Sequence, residues 1–270
     1  MMYFGFIGST FGIYSDLSIR SNRCLGQIRY QMSMLHSEQH VALIREALKP
    51  LRKSIPKNKS IRTWSYVQFA TVENGLPKVR TIVFRGFLNP RSSNTKSGSD
   101  SDSSAVNDNE NLADGLVFCT DTRSRKVAAL ADNNKAEVAW YLPTTRDQFR
   151  ISGDVSLIGG SGDVFNTVPE RFKYRIQELM NERIGLWKRM NPPARAQFYW
   201  PGNPGEVLHP AWPGELSEKI AATAGDKDSD SDENPTIPDS FLLLILWPTS
   251  IDWLNLKTNH RFIDSQRVNP

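Results

Sequence analysis

The chain has 270 residues, of which 39% are hydrophobic, 10% aromatic and 23% charged, a composition typical of an ordinary globular protein of one or two domains. The formal net charge of +4 is unevenly distributed. Two acidic stretches, residues 91–111 and 224–236, carry net charges of −2 and −4 and leave +10 on the rest of the chain. This balance favours an anionic ligand or a nucleic acid and argues against a basic substrate.

The cysteines and the apolar runs indicate in which compartment the protein is located and whether a segment of it spans a membrane. Cys24 and Cys119 are the only cysteines and make no disulfide framework, so we expect a reducing, cytoplasmic location. The longest apolar run, FLLLILW at 241–247, is far shorter than the ~20 residues of a membrane-spanning helix and predicts a buried strand. The first 35 residues carry three arginines and several serines against one acidic residue and weakly resemble a transit peptide, which makes mitochondrial import the alternative location.

The first predicted element is an amphipathic helix over about 38–51, where apolar residues recur at three- and four-residue spacing. Two strands follow at 63–72 and 78–88, and Asn74-Gly75 between them supplies the turn of a hairpin. Residues 91–111 are almost entirely Ser, Asp, Asn and small residues, so we expect a disordered loop inserted between strands.

Strand-like sequence resumes after that loop with GLVFCT at 115–120 and leads into a short helix. The later predicted elements are strands at 136–143 and 148–159, a helix at 169–188, and strands from 241 onwards. Together they predict a mainly β, α+β protein in which an antiparallel sheet or barrel packs against peripheral helices.

The domain prediction follows from the same pattern. We expect an irregular N-terminal segment at 1–35 and a single domain at 36–270, with disordered insertions at about 91–111 and 224–236. The insertions are placed inside the domain because strand-like sequence follows each of them.

A basic cluster, Ser124, Arg125 and Lys126, stands where a predicted strand ends and a helix begins. Unpaired backbone N–H groups and the helix dipole make that end positive, so it attracts an anion before any side chain contributes. Cations there repel the helix end unless an anion lies between them. The cluster therefore predicts a phosphate site, and ordinary solvated side chains are the alternative.

Two other groups of residues give weaker indications of function. His36 and His40 have a spacing compatible with a metal, but no third ligand is evident and we expect no metal site. Ser229 and Ser231 precede acidic residues, as in acidophilic kinase sites, with an unmodified solvated loop as the alternative.

Four motifs follow one another in collinear order between residues 64 and 159: RTIVFR, a strand ending in FCTD, SRK at a helix start, and DQFRISG. In this order they resemble the pyridoxamine 5′-phosphate oxidase superfamily of FMN-binding split barrels. The likeness continues less tightly through IGLW and the C-terminal strands, and RAQFYWPG at 195–202 resembles a poorly characterised FMN-binding subfamily. The resemblance implies an antiparallel FMN-binding split β-barrel with peripheral helices, FMN as cofactor, and a homodimer with FMN at the interface.

The resemblance also implies cofactor-binding residues. The basic cluster and Arg80 would hold the FMN phosphate, and the strand from Thr81 to Arg85 would run along the flavin. In the family, the residue matching Gln148 comes from the partner subunit. The implied set is Arg80, Thr81, Val83, Phe84, Arg85, Cys119, Thr120, Ser124, Arg125, Lys126, Gln148 and Arg261.

Departures from the family limit what it implies about the substrate. Glu178 stands where the oxidases have the Arg that holds the vitamin's phosphate, and His260-Arg261 replaces their Arg-x-His pair. We therefore expect an FMN-dependent oxidoreductase that does not act on pyridoxine phosphate. No residue stands out as a catalytic acid or base, so the substrate and the catalytic residues stay unassigned. The alternatives are a non-catalytic FMN-binding or interaction protein and, less favoured, a basic nucleic-acid-binding barrel.

Overall fold

The computed structural model describes residues 42–55, 62–88, 115–162, 165–207, 237–264 and 266–268. The predicted N-terminal segment at 1–35 and both predicted insertions, at 91–111 and 224–236, lie outside the described residues. The described strands are β1 (Tyr66–Glu73), β2 (Leu76–Val83), β3 (Gly86–Phe87), β4 (Leu116–Asp121), β5 (Lys135–Leu142), β6 (Asp147–Ile158), β7 (Phe241–Asn255), β8 (His260–Ile263) and β9 (Gln266–Val268). The described helices are α1 (residues 42–54), α2 (Arg125–Asp132), α3 (Ile176–Arg189) and α4 (Pro192–Ala196).

The strands form one antiparallel sheet in the order β2-β1-β5-β6-β7-β4-β3, and β8 and β9 extend it from β7. The two ends of this order, β2 and β3, are separated in the chain only by Phe84 and Arg85. The sheet therefore curls back on itself, although its hydrogen-bonded ladder is not closed. The predicted mainly β, antiparallel fold with peripheral helices is confirmed.

The β1–β2 hairpin forms as its turn residues predict. Asn74 and Gly75 have φ values of 52° and 76°, the left-handed conformation that a two-residue turn requires at both positions. Glu73 and Leu76 pair on either side of the turn. This register places Thr81 opposite Gln68 and so fixes which residues of β2 face outwards.

Strand β7 explains why the run at 241–247 is apolar at every position. Leu242, Leu244 and Leu246 face the interior of the curled sheet, where α1 also packs. The alternating residues, among them Phe241 and Trp247, face a second cluster covered by α3. Because both faces of the strand are buried, no position tolerates a polar side chain.

No helix in the described part of the chain is long and apolar enough to cross a bilayer. The predicted helix at 169–188 is divided, since Glu170–Arg175 forms a 3₁₀ turn before α3 begins.

Asp147 is a buried carboxylate, 3% exposed, that joins α1 to the sheet. It accepts hydrogen bonds from Ser54 Oγ (2.6 Å), Trp253 Nε1 (2.8 Å) and Asn255 Nδ2 (2.7 Å). Burial on its own would raise the pKa of this carboxyl, but the hydrogen bonds together hold the pKa below its ordinary value.

Replacing Asp147 with Asn should lower the free energy of unfolding by about 2 kcal/mol, because the new amide N–H₂ group faces donors that it cannot pair with. Urea unfolding at pH 7 measures the difference. The control is Asp154→Asn, which alters a carboxylate paired with the exposed Lys135 and should change stability by less than ~1 kcal/mol.

Comparing the wild type with Asp147→Asn at different pH values gives a second test. The stability that Asp147 contributes is present above the carboxyl's unfolded pKa of about 4 and is lost as the pH falls through its lower folded pKa. The difference between the wild type and Asp147→Asn should therefore shrink below about pH 4. A difference that stays constant down to pH 2 would contradict this account of Asp147.

Candidate functional site

A cavity of about 520 Å³ lies between the ends of β2 and β4, the start of α2, and the segment that follows α4. The curl of the sheet brings these elements together, because β2 leads directly into β3 and β3 pairs with β4. The predicted site residues that line the cavity are Thr81, Val83, Arg85, Cys119, Thr120, Ser124 and Lys126.

The start of α2 presents uncapped backbone donors to this cavity. Ser124 occupies the N-cap position, but its side chain makes no capping hydrogen bond. Its hydroxyl instead shares a 3.1 Å hydrogen bond with that of Thr120. Val127 N donates to Ser124 O at 2.9 Å, so the first-turn donors that remain for an anionic ligand are the N–H groups of Arg125 and Lys126.

Lys126 adds a cation at the same place. Its Nζ donates to Thr120 Oγ1 at 3.1 Å. Burial lowers the pKa of Lys126 and the nearby Arg80 cation lowers it further, although Asp121 and Cys119 oppose the shift. A half-buried ammonium beside another cation is stabilised when an anion binds between them.

Arg85 contributes a buried donor to the same cavity. Its Nε is buried and has no hydrogen-bond partner within the described part of the chain. The Cys119 thiol lies nearby, where burial raises its pKa and Arg85 and Lys126 oppose that rise. A buried N–H without an acceptor is costly, so this position suits a ligand that carries acceptor atoms.

Five predicted residues do not line the cavity, and three of them are Arg80, Phe84 and Arg125. Arg80 is on the opposite face of β2 from Thr81, and its Nη1 donates to Thr71 Oγ1 at 2.7 Å and Phe69 O at 3.3 Å. Phe84 is buried against Trp140. Arg125 is exposed at the first position of α2. Arg80 still acts on the cavity through its effect on the pKa of Lys126.

Gln148 and Arg261 lie outside the cavity lining but on the same side of the sheet. Both pair across the ladder with Leu254 of β7. The adjacent row of cross-strand pairs runs Thr81, Gln68, Ala139, Arg150, Asp252, Ile263. Because Thr81 lines the cavity, the cavity and the Gln148 row share the outer face of the curled sheet.

The guanidinium of Arg261 is paired within the chain. Its Nε and Nη2 donate to the two carboxylate oxygens of Asp252 at 2.9 and 2.7 Å, and Arg150 donates to the same carboxylate. Hydrogen bonding to Arg261 is the main cause that lowers the pKa of Asp252.

Glu178 is likewise paired. Nε and Nη2 of the buried Arg175 donate to Glu178 Oε2 at 2.9 and 2.6 Å. The carboxylate at this position is therefore held by a guanidinium one turn earlier in the chain.

A contribution that sequence reasoning missed comes from residues 200–206, here called the cover segment, which line the cavity opposite β2 and β4. Arg123 Nη1 donates to the carbonyl oxygens of Trp200 and Gly202 at 2.6 and 2.8 Å. Two sequence features mark these segments: a third cation, Arg123, directly before Ser124, and the Trp-Pro-Gly sequence at 200–202. Neither feature reveals that the two segments touch.

Comparison with known proteins shows to which family this chain belongs. The model of the family described as "Pyridoxamine 5′-phosphate oxidase, FMN-binding domain" matches residues 46–159. "Pyridoxine/pyridoxamine 5′-phosphate oxidase 2" of Arabidopsis thaliana is 30% identical over 213 residues, which cover 78% of this chain and 84% of the relative. The chain belongs to the pyridoxamine 5′-phosphate oxidase family. The predicted FMN-binding domain and FMN cofactor are thereby confirmed.

Solved structures of similar proteins confirm the split-barrel fold of this oxidase family member. A pyridoxamine 5′-phosphate oxidase-related, FMN-binding protein from Nostoc punctiforme is 30% identical, with a TM-score of 0.56, over 82% of this chain and 96% of that one. PhzG from Burkholderia lata, solved in complex with tetrahydrophenazine-1-carboxylic acid, is 16% identical with a TM-score of 0.51 over 78% of this chain and 84% of that one. The second likeness concerns the fold alone.

The residues of this oxidase family member fit FMN. The uncapped start of α2 and the half-buried Lys126 suit a phosphate, and the orphaned Arg85 Nε suits the acceptor atoms of a flavin ring. The volume of about 520 Å³ is within the range of ligand sites, roughly 300–1,000 Å³.

Cys119 provides a chemical test of the cavity. We expect iodoacetamide at pH 7 to alkylate Cys119 at least ~10-fold more slowly than free cysteine, because burial raises the pKa of its thiol. The rate should increase at higher pH, and FMN should block the reaction. Mass spectrometry of the Cys119 peptide measures the rate separately from Cys24. Rapid alkylation that FMN leaves unchanged would contradict this placement of Cys119.

Proposed function

We propose that this protein is an FMN-dependent oxidoreductase that works as a homodimer. The observation that carries the proposal is the convergence of the uncapped α2 start, Lys126 and the orphaned Arg85 donor on one cavity of a chain with an FMN-binding domain. When bound, FMN supplies the capacity to accept and pass on a hydride or an electron pair.

The proposed task of the chain is to bind and orient this cofactor. Ser124, Lys126 and the first N–H groups of α2 bind its phosphate, and the Arg80 cation near Lys126 adds positive charge. Arg85 donates to the acceptor edge of the ring, and its positive charge favours negative charge there.

The titratable groups of the cavity wall suit orientation better than proton transfer. Burial raises the pKa of Cys119, which keeps it in the thiol form near neutral pH. Asp121 is bound on both carboxylate oxygens by Arg123. These two groups would therefore help to position the substrate, and FMN, when bound, would supply the redox chemistry.

The name of the Arabidopsis relative makes pyridoxine and pyridoxamine 5′-phosphate the first substrates to test. We propose that this chain does not act on them. Glu178 would repel the substrate phosphate at the position where the family places an Arg, and Arg175, which is nearby, is already paired with Glu178.

The homodimer proposal rests on the outer face of the sheet. Tyr66, Val79 and Tyr141 expose 53%, 64% and 47% of their surfaces there. Gln148 pairs directly with Tyr141 and faces the same way. A second copy seated on this face would cover the apolar side chains and bring a Gln148 towards each cavity.

An absorbance experiment tests the oxidoreductase proposal. The FMN-loaded protein is mixed anaerobically with NADPH, NADH or pyridoxamine 5′-phosphate, and the flavin band is followed. We expect a nicotinamide to bleach the band and pyridoxamine 5′-phosphate to leave it unchanged. Bleaching by pyridoxamine 5′-phosphate would overturn the substrate proposal. A bound flavin that no donor reduces would favour the non-catalytic alternative.

Lys126→Ala should weaken FMN binding by about 30- to 100-fold, because a charge-assisted bond to phosphate is lost. Riboflavin lacks the phosphate, so its affinity should change by less than ~3-fold. Fluorescence titration of the apoprotein measures both constants. The matched control is Lys135→Ala, which removes an exposed lysine of β5. An equal loss for FMN and riboflavin would contradict the assignment of Lys126 to the phosphate.

Tyr141→Glu should convert the proposed dimer into a monomer, because it places a charge in an apolar interface. We expect FMN affinity to fall with it, since Gln148 is withdrawn from the partner's cavity. Sedimentation velocity gives the oligomeric state. Val207→Glu is the control, because Val207 is 95% exposed and belongs to no strand of the sheet. A monomeric wild type that binds FMN tightly would overturn the dimer proposal.

A further inference from the structure

Trp200 differs from the other tryptophans that the structure describes. It lines the cavity as part of the cover segment, and 39% of its surface is exposed. It makes no ring contact with another aromatic residue in the described part of the chain, whereas each of the others does: Trp64, Trp140, Trp187, Trp247 and Trp253. An exposed tryptophan on a cavity wall offers a ligand a large, flat apolar surface.

Contacts on both sides of the peptide hold Trp200 in place. Arg123 Nη1 donates to the carbonyl oxygen of Trp200 at 2.6 Å. Phe198, two residues earlier, is buried edge-on against Phe241 at a ring-centroid distance of 4.9 Å, and its carbonyl accepts from Ser240 Oγ at 2.6 Å. Because this stretch of backbone is already fixed, a ring that stacks on Trp200 orders little of the protein when it binds.

The cavity also has cationic lining residues, which the proposed function assigns to the cofactor. Lys126 and Arg85 line the cavity, and Lys126 is assigned to the phosphate of FMN and Arg85 to its ring. The phosphate carries a charge of about −2 at neutral pH, so bound FMN offsets these two cations. A second reactant then meets mainly the charges on the side of the cover segment.

That side of the cavity has a net negative charge. The two carboxylate oxygens of Asp121 accept from Arg123 at 2.9 and 2.6 Å, and this ion pair has no net charge. Glu206 also lines the cavity, and hydrogen bonds from the backbone and then the side chain of Asn203 lower its pKa, so its carboxylate is ionised at neutral pH. A carboxylate here disfavours an anionic ligand and favours a cation, and tryptophan is the aromatic side chain that binds cations best.

We propose that Trp200 is the stacking surface for the second reactant of this oxidoreductase, and that this reactant is a planar ring with no charge or a positive charge. The inference rests on the proposed function, because it takes FMN to occupy the cationic part of the cavity. It narrows the substrate class, since rings that carry a carboxylate or a phosphate close to the ring are disfavoured. Trp200 and Glu206 are specificity-determining residues in this account.

The test uses two probes that share a pyridine ring and differ in charge, the 1-methylnicotinamide cation and the nicotinate anion. Neither probe reduces FMN, so binding to the full-length, FMN-loaded protein is measured without turnover. The protein is labelled with 5-fluorotryptophan, and the ¹⁹F resonance that is missing from the spectrum of Trp200→Phe reports on Trp200. Line broadening of the probe's ¹H resonances gives its affinity for the wild type and for every variant.

The variants separate stacking from charge. Trp200→Ala removes the ring, Trp200→Phe keeps an aromatic ring at the same position, and Glu206→Gln removes the charge of an exposed side chain. The matched control is Leu76→Ala, which shortens an apolar side chain that is 59% exposed and does not line the cavity.

In the wild type, 1-methylnicotinamide should shift the Trp200 resonance saturably and bind at least ~10-fold more tightly than nicotinate. Trp200→Ala should weaken binding of the cation about tenfold, and Trp200→Phe should stay within ~3-fold of the wild type. Glu206→Gln should reduce the preference for the cation to below ~3-fold, and Leu76→Ala should leave both affinities unchanged.

Nicotinate binding as tightly as the cation would overturn the inference. So would an unshifted Trp200 resonance, or an unchanged affinity in Trp200→Ala. A bound flavin that no donor reduces would instead refute the proposed oxidoreductase activity and leave the ring site standing. A protein that does not retain FMN would refute the proposed function and this inference together.

Discussion

The first turn of α2 is the constraint on which the site depends. Its N–H groups lack a side-chain cap because the Ser124 hydroxyl is turned to Thr120. Burial lowers the pKa of Lys126, and the nearby cation of Arg80 lowers it further. Both features are destabilising on their own, and both are relieved by one bound phosphate. The same anion thus accounts for the basic residues at this helix start and for the cavity beside them.

The central strand β7 gives this turn its position. β4 pairs with β7 along its whole length, with Asp121 opposite Phe241, so the end of β4 and the start of α2 are placed by a strand that is buried on both faces. Phe241 also packs against Phe198, next to the cover segment. The start of α2 and the cover segment both line the cavity, and both are therefore positioned by one rigid strand, as a preorganised binding site requires.

Local features of the fold could be predicted from sequence because their causes are local. Asn74-Gly75 dictates its turn through backbone sterics, and the basic cluster at 124–126 shows a helix start that suits an anion. The contact of Arg123 with Trp200 and Gly202 could not be predicted, since it joins residues 77 and 79 positions apart. The proximity of Arg80 to Lys126 depends in the same way on the register of β2 and on the packing of α2.

The phosphorus resonance of bound FMN, followed by ³¹P NMR between pH 5 and 8, tests the central claim most directly. If Lys126 and the start of α2 hold the phosphate, with the Arg80 cation near Lys126, it stays a dianion and its chemical shift is constant over this range. A free phosphate monoester instead titrates near pH ~6. A bound resonance that titrates at that pH would show a solvated phosphate and would contradict the account.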